Sequence, residues 1–111
     1  MDVPEIDIVK LSEIREQGVP LIDVREDDEY TDAHVPGAHH IPLGQVPDRV
    51  AEVPTDATVY VICARGGRSA KAVEHYRSLG IDAVNVAGGT LAWIDAGLPT
   101  DGGPWSGTPT T

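Results

Sequence analysis

The chain has 111 residues, eighteen acidic and eight basic, for a net charge of -10. That length suits one domain able to bury roughly 65% of its unfolded surface in a single core, and the acidity argues against a nucleic-acid or anionic-membrane partner, both of which need a basic footprint. A single cysteine rules out an internal disulfide and zinc sites built on paired cysteines, and it fits a reducing compartment.

The start, Met1-Asp2-Val3-Pro4-Glu5, has neither a basic n-region nor an apolar h-region, and no apolar run approaches membrane-spanning length. A soluble, unexported, cytoplasmic protein is therefore expected. Residues 5–7 suit a short edge strand, with Asp7 capping a helix that carries Leu11 and Ile14 and ends at Gly18. Residues 20–24 read as a buried strand, and residues 27–33 as a short helix. The acidic residues Glu26, Asp27, Asp28 and Glu29 look like its solvated start, where negative charge is favoured. After a turn at Pro36-Gly37 comes a strand at residues 39–41, in which the adjacent His39 and His40 face opposite ways and cannot share a metal; His34 and His75 have no ligand-like spacing to them. Pro47 suits the first turn of a helix reaching Glu52.

The β-branched run at residues 58–62 predicts a further strand, and Ala70, Val73 and Tyr76 fall at helical spacing within residues 69–79. Gly80 then reads as a helix stop, residues 83–86 as a last strand, and a last helix runs from beyond Gly88-Gly89, with Thr90 as its cap, to Gly97-Leu98-Pro99. This alternation predicts an α/β fold, a mostly parallel sheet with helices on both faces. Residues 1–100 form the expected domain, and residues 101–111, rich in Gly, Pro and Thr, a flexible tail in which Trp105 is the one aromatic.

The chemistry concentrates between the central strand and its helix, in Cys63-Ala64-Arg65-Gly66-Gly67-Arg68-Ser69. Cys63 ends the strand, at the sheet edge where ligands of open α/β folds bind. The amides of residues 64–69 can converge as a nest on an anion backed by a helix N-terminus, and a thiolate is such an anion. A free cysteine has a pKa of about 8.5, which such surroundings lower toward or below neutrality. The alternative, Cys63 as a small buried hydrophobe, is outweighed by the loop: Gly66 and Gly67 serve no core, and Arg65 and Arg68 put two of eight basic residues beside the thiol of an acidic chain.

Three blocks together resemble a single-domain rhodanese, a thiosulfate sulfurtransferase of the rhodanese superfamily. They are Leu21-Ile22-Asp23-Val24-Arg25-Glu26 with Glu29-Tyr30 and His34-Val35-Pro36-Gly37-Ala38; the loop Cys63 to Ser69; and Gly88-Gly89-Thr90-Leu91-Ala92-Trp93 with Gly97-Leu98-Pro99. The resemblance spans residues 5–100 and implies a rhodanese-like five-stranded fold. It further implies a persulfide carried on Cys63 and surrounded by the amides of Ala64, Arg65, Gly66, Gly67, Arg68 and Ser69, with Arg68 as the loop arginine. Asp23 and Arg25 match a supporting pair, expected here as a structural ion pair, and Trp93 is expected in the core.

The partners implied are a small anionic sulfur donor, such as thiosulfate, and a thiophilic acceptor: cyanide, a small thiol or a protein thiol. No cofactor or metal is called for. Of the two loop arginines, Arg68 is expected to matter more for gathering the donor. Four residues separate Cys63 from Arg68, one fewer than in phosphatase and arsenate-reductase relatives, which favours a cradle sized for one sulfur atom over a phosphate. A regulatory binding module without turnover is the other alternative.

Overall fold

The computed structural model describes residues 3–103, so Trp105 and the remainder of the expected tail lie outside the described residues. Five strands, β1 (Glu5–Ile6), β2 (Leu21–Asp23), β3 (His39–His40), β4 (Val59–Ile62) and β5 (Ala83–Val86), form one sheet in the order β1-β5-β4-β2-β3. Every pairing is parallel, so the sheet is wholly rather than mostly parallel. Parallel neighbours require crossovers, and these are supplied by α1 (Ile8–Ile14), α2 (Asp27–Asp32), α3 (Gly67–Ser78) and short 3-10 segments, while α4 (Gly89–Asp95) follows the last strand.

Strand alternation divides the core in two. Val59, Val61 and Cys63 share one face of the sheet with Ile22 and Ala83 and pack under Ala72, Val73 and Tyr76 of α3. Leu21, Ile62 and Val86 face the other way, onto Leu11 and Ile14 of α1, Tyr30 of α2 and Trp93 of α4. Because all strands run the same way, the chain after β2, β4 and β5 emerges at a single edge. There Asp23-Val24-Arg25, the Cys63 loop and the Gly88-Gly89 turn meet.

Local capping explains several boundaries. Asp7 accepts the Lys10 amide (2.9 Å) and starts α1, while Glu26 and Glu29 form a reciprocal capping box on α2. Other boundaries correct the sequence reading. The 47–52 segment is 3-10 rather than α, interrupted at Arg49 where φ is -116°. Strand β3 is only His39–His40, and α3 starts at Gly67, two residues before Ser69.

Thr90 is not the cap of α4. Gly88 takes that place at φ +83°, and the Thr90 hydroxyl has no hydrogen-bond partner among the described residues, while its amide donates to the Cys63 carbonyl (2.9 Å). Beyond residue 100, Asp101 and His34 exchange both backbone hydrogen bonds (2.9 Å each), and the Gly103 amide donates to the Thr31 carbonyl (2.8 Å).

Candidate active site

Cys63 is the first residue after the central strand, 1% exposed, with its sulfur at the floor of the 64–69 loop. The Gly66 amide donates to Cys63 Sγ at 3.1 Å, and Ser69 Oγ stands 3.3 Å from the same sulfur. Gly66 can aim its amide this way because its φ is +113°, a conformation that side chains resist, and a β-carbon there would come into contact with the backbone of residues 86–88. Burial alone pushes the Cys63 thiol up, but hydrogen bonds from the Ser69 hydroxyl and from the Ser69, Gly66 and Arg65 amides outweigh it and leave the thiol below its ordinary value.

The loop is clamped from behind by α4. The amides of Thr90 and Leu91 donate to the carbonyls of Cys63 and Ala64 (2.9 and 3.1 Å), so the carbonyl oxygens turn away from the sulfur and the loop amides are free to face it. This approach is close enough that a β-carbon on Gly89 would overlap the Cys63 and Ala64 carbonyls. Gly89, in the Gly-Gly pair that opens the third sequence block, is thus a packing requirement of the cysteine loop.

The two loop arginines are not equivalent. Arg68 makes a two-pronged pair with Glu29 of α2 (2.7 and 2.9 Å), which holds the Glu29 carboxyl down at about 2 and pushes the arginine up. Glu29 was expected to be a solvated helix-start charge; it is instead the anchor that neutralises Arg68, a role invisible in sequence because the two lie 39 residues apart. The Arg65 side chain is exposed and has no charged or hydrogen-bonding partner among the described residues. Arg65 borders a groove of about 330 Å³ shared with Gly88, Leu91, Ala92 and Asp95. Arg68 thus ties α3 to α2, and Arg65 is left as the loop's unpaired charge among the described residues.

Asp23 and Arg25 are brought to the same sheet edge but make no hydrogen bond to the Cys63 loop. Asp23 accepts the Arg25 amide (3.0 Å) and guanidinium (2.9 Å at Nη2), Arg25 Nη2 donates to the Ala33 carbonyl (2.7 Å), and the Arg25 carbonyl is bonded by His40 Nε2 (2.7 Å). The pair ties β2 to α2 and β3. Tyr30 is stacked between His34 and His40, with ring centroids at 3.7 and 4.4 Å, and donates to the Ala38 carbonyl, which gives the 34–38 block an architectural part. Trp93 is fully buried and donates to the Pro99 carbonyl (2.7 Å).

One residue near the sulfur was missed: Asn85. It is polar in an otherwise apolar strand and 1% exposed, and its Oδ1 lies 2.5 Å from Ser69 Oγ. The isolated polar position within Ala83-Val84-Asn85-Val86 was the available signal.

A family model described as a rhodanese-like domain matches residues 8–96. The chain belongs to the rhodanese-like family. Among curated relatives, a sulfurtransferase of Allochromatium vinosum is 35% identical over 100 residues, covering 87% of this chain and 94% of that protein. The crystal structure of a rhodanese-related protein from Thermoplasma volcanium superposes with a TM-score of 0.83 at 33% identity, covering 88% of this chain and 97% of that one. The same domain also occurs within longer proteins: the match to the HTH-type transcriptional regulator Rv0324 of Mycobacterium tuberculosis is 40% identical over 93 residues, but covers only 41% of it. Sulfurtransferase activity is thus supported at the level of the family. Among the described residues no helix of this rhodanese-like chain is long and apolar enough to cross a membrane.

Proposed function

We propose that this rhodanese-like protein transfers a sulfane sulfur from a small anionic donor of the thiosulfate type to a thiophilic acceptor through a persulfide on Cys63. The observation that carries the reading is the sulfur's surroundings: a thiol held below its ordinary value by a convergent set of amide and hydroxyl donors, on a loop that carries an unpaired arginine. In the first half-reaction the Cys63 thiolate attacks the outer sulfur of thiosulfate. The new S–S bond takes the electron pair of the thiolate, and the old S–S bond breaks with its pair leaving on sulfite. The terminal persulfide sulfur then carries the negative charge, and the loop amides supply donors for it.

In the second half-reaction a nucleophilic acceptor takes the terminal sulfur and restores the thiolate. Cyanide gives thiocyanate; a small thiol or a protein thiol gives its own persulfide. With Cys63 the chain's single cysteine, the acceptor is a separate molecule. Arg65, beside the groove along α4, gathers the donor anion, while Arg68 and Glu29 hold the loop.

Thiosulfate:cyanide turnover of the wild-type protein against Cys63→Ser, with a thermal melt of each, tests the reading. Thiocyanate formation by the wild type and none by a folded Cys63→Ser protein is the expected result. Equal turnover by both would remove Cys63 from the reaction, and turnover by neither would favour a binding role.

A further inference from the structure

Asn85 sits in β5 in register with Glu5 of β1 on one side and Val61 of β4 on the other. The orientation of its amide is fixed by its neighbours. Nδ2 lies 2.8 Å from the Glu5 carboxylate and 3.1 Å from the Gly66 carbonyl, and both of these only accept. Oδ1 therefore faces Ser69 Oγ, 2.5 Å away, and, carrying no hydrogen, it must receive the Ser69 hydroxyl proton. Ser69 has one such proton, and Cys63 Sγ stands 3.3 Å from the same oxygen. While Asn85 holds that proton, Ser69 offers the sulfur a lone pair, which suits a neutral S–H. A thiolate gains the Ser69 hydrogen bond only by taking it from Asn85.

We propose that Asn85 is a positioning residue that competes with Cys63 for the single hydroxyl proton of Ser69 and so restrains ionisation of the thiol. Both partners are buried, Ser69 at 0% and Asn85 at 1% exposure, so water does not readily replace either acceptor. Breaking the bond to Asn85 Oδ1 leaves a buried acceptor without a donor, a cost that falls on the thiolate form alone. The charged groups around the thiol are Arg65 on its own loop, the Arg68 and Glu29 pair from α3 and α2, Glu26 at the start of α2, the Asp23 and Arg25 pair after β2, and Glu5 behind Asn85 on β1. Substituting Asn85 or Ser69 leaves all of these charges in place. The inference refines the nucleophile of the sulfur-transfer reading, but its test reads the thiol itself and is decided whether or not turnover is found.

The experiment follows iodoacetamide alkylation of Cys63 against pH by intact mass, for the wild type, Asn85→Leu, Ser69→Ala and the double variant. Asn85→Val, which favours the strand, serves as a second variant should the leucine protein fail to fold. Removing Asn85 frees the hydroxyl proton for the sulfur, so the midpoint is expected to fall by about half a pH unit or more. Ser69→Ala is expected to raise it. In the Ser69→Ala background the Asn85 substitution is expected to add no further shift. A midpoint that stays or rises in a folded Asn85 variant overturns the proposal, leaving Asn85 as a mere support for the Gly66 peptide. The same shift with and without Ser69 overturns it as well.

Discussion

Cys63 packs in the apolar core, but it differs from an inert buried cysteine in the polar groups its sulfur also touches: an amide at 3.1 Å and a hydroxyl at 3.3 Å. Because these donors favour the anion, its alkylation midpoint is expected below that of a free cysteine, about 8.5; a midpoint at or above the free value would return it to a packing role. The arginines give a second expectation at this scale. Arg65→Ala should raise KM for thiosulfate severalfold at low salt through loss of the unpaired charge. Arg68→Ala should act instead through the loop, lowering kcat and the melting temperature together with little dependence on salt, because Glu29 already neutralises it. A larger and salt-sensitive KM effect at Arg68 would reverse this assignment. Cys63 and its loop were legible in the sequence because a strand, a cysteine, paired glycines and a helix follow one another without a break between residues 59 and 78. Glu29 and Asn85 were not, since what they do depends on neighbours brought in by the fold: Arg68 from α3 for Glu29, and Ser69 from α3 with Glu5 from the adjacent strand for Asn85.

At the scale of elements, α4 and the cysteine loop act as one unit through the Thr90 and Leu91 amides. Gly89→Ala must push them apart, since the new methyl group overlaps two loop carbonyls and the backbone stands at φ +63°; a loss of about 2 kcal/mol or more is expected in chemical denaturation, and an unchanged midpoint would mean that the clamp yields freely. The α2–α3 contact carries a pH dependence. The folded Glu29 carboxyl, at about 2, lies below its ordinary value of 4.5, so its stabilising share is complete above pH 4.5 and is lost as pH falls toward 2. The stability gap between wild type and Glu29→Gln should therefore close over that interval. Both partners are about one third exposed, which limits the gap to roughly 1 kcal/mol or less. The helices and strands themselves were largely readable from periodicity. Thr90 misled because a threonine before an apolar helix resembles a cap, whereas the paired left-handed glycines before it already turn the chain into the helix.

For the molecule as a whole, a parallel sheet delivers every strand end to one edge, so segments distant in sequence converge on the central cysteine. The same molecule bears a net charge of -10, which repels an anionic donor except where Arg65 stands. Raising salt should therefore improve KM for thiosulfate in the Arg65→Ala protein, where only the repulsion remains, and bring it toward the wild type; a gap that widens with salt would contradict this picture. The central claim, that Cys63 accepts a sulfur atom covalently, is tested most directly by intact mass after incubation with thiosulfate and removal of excess reagent. A gain of about 32 Da, one sulfur atom, that is absent from Cys63→Ser and discharged by cyanide is the predicted result. An unchanged mass in folded, thiol-reduced protein, or the same gain in Cys63→Ser, would contradict it.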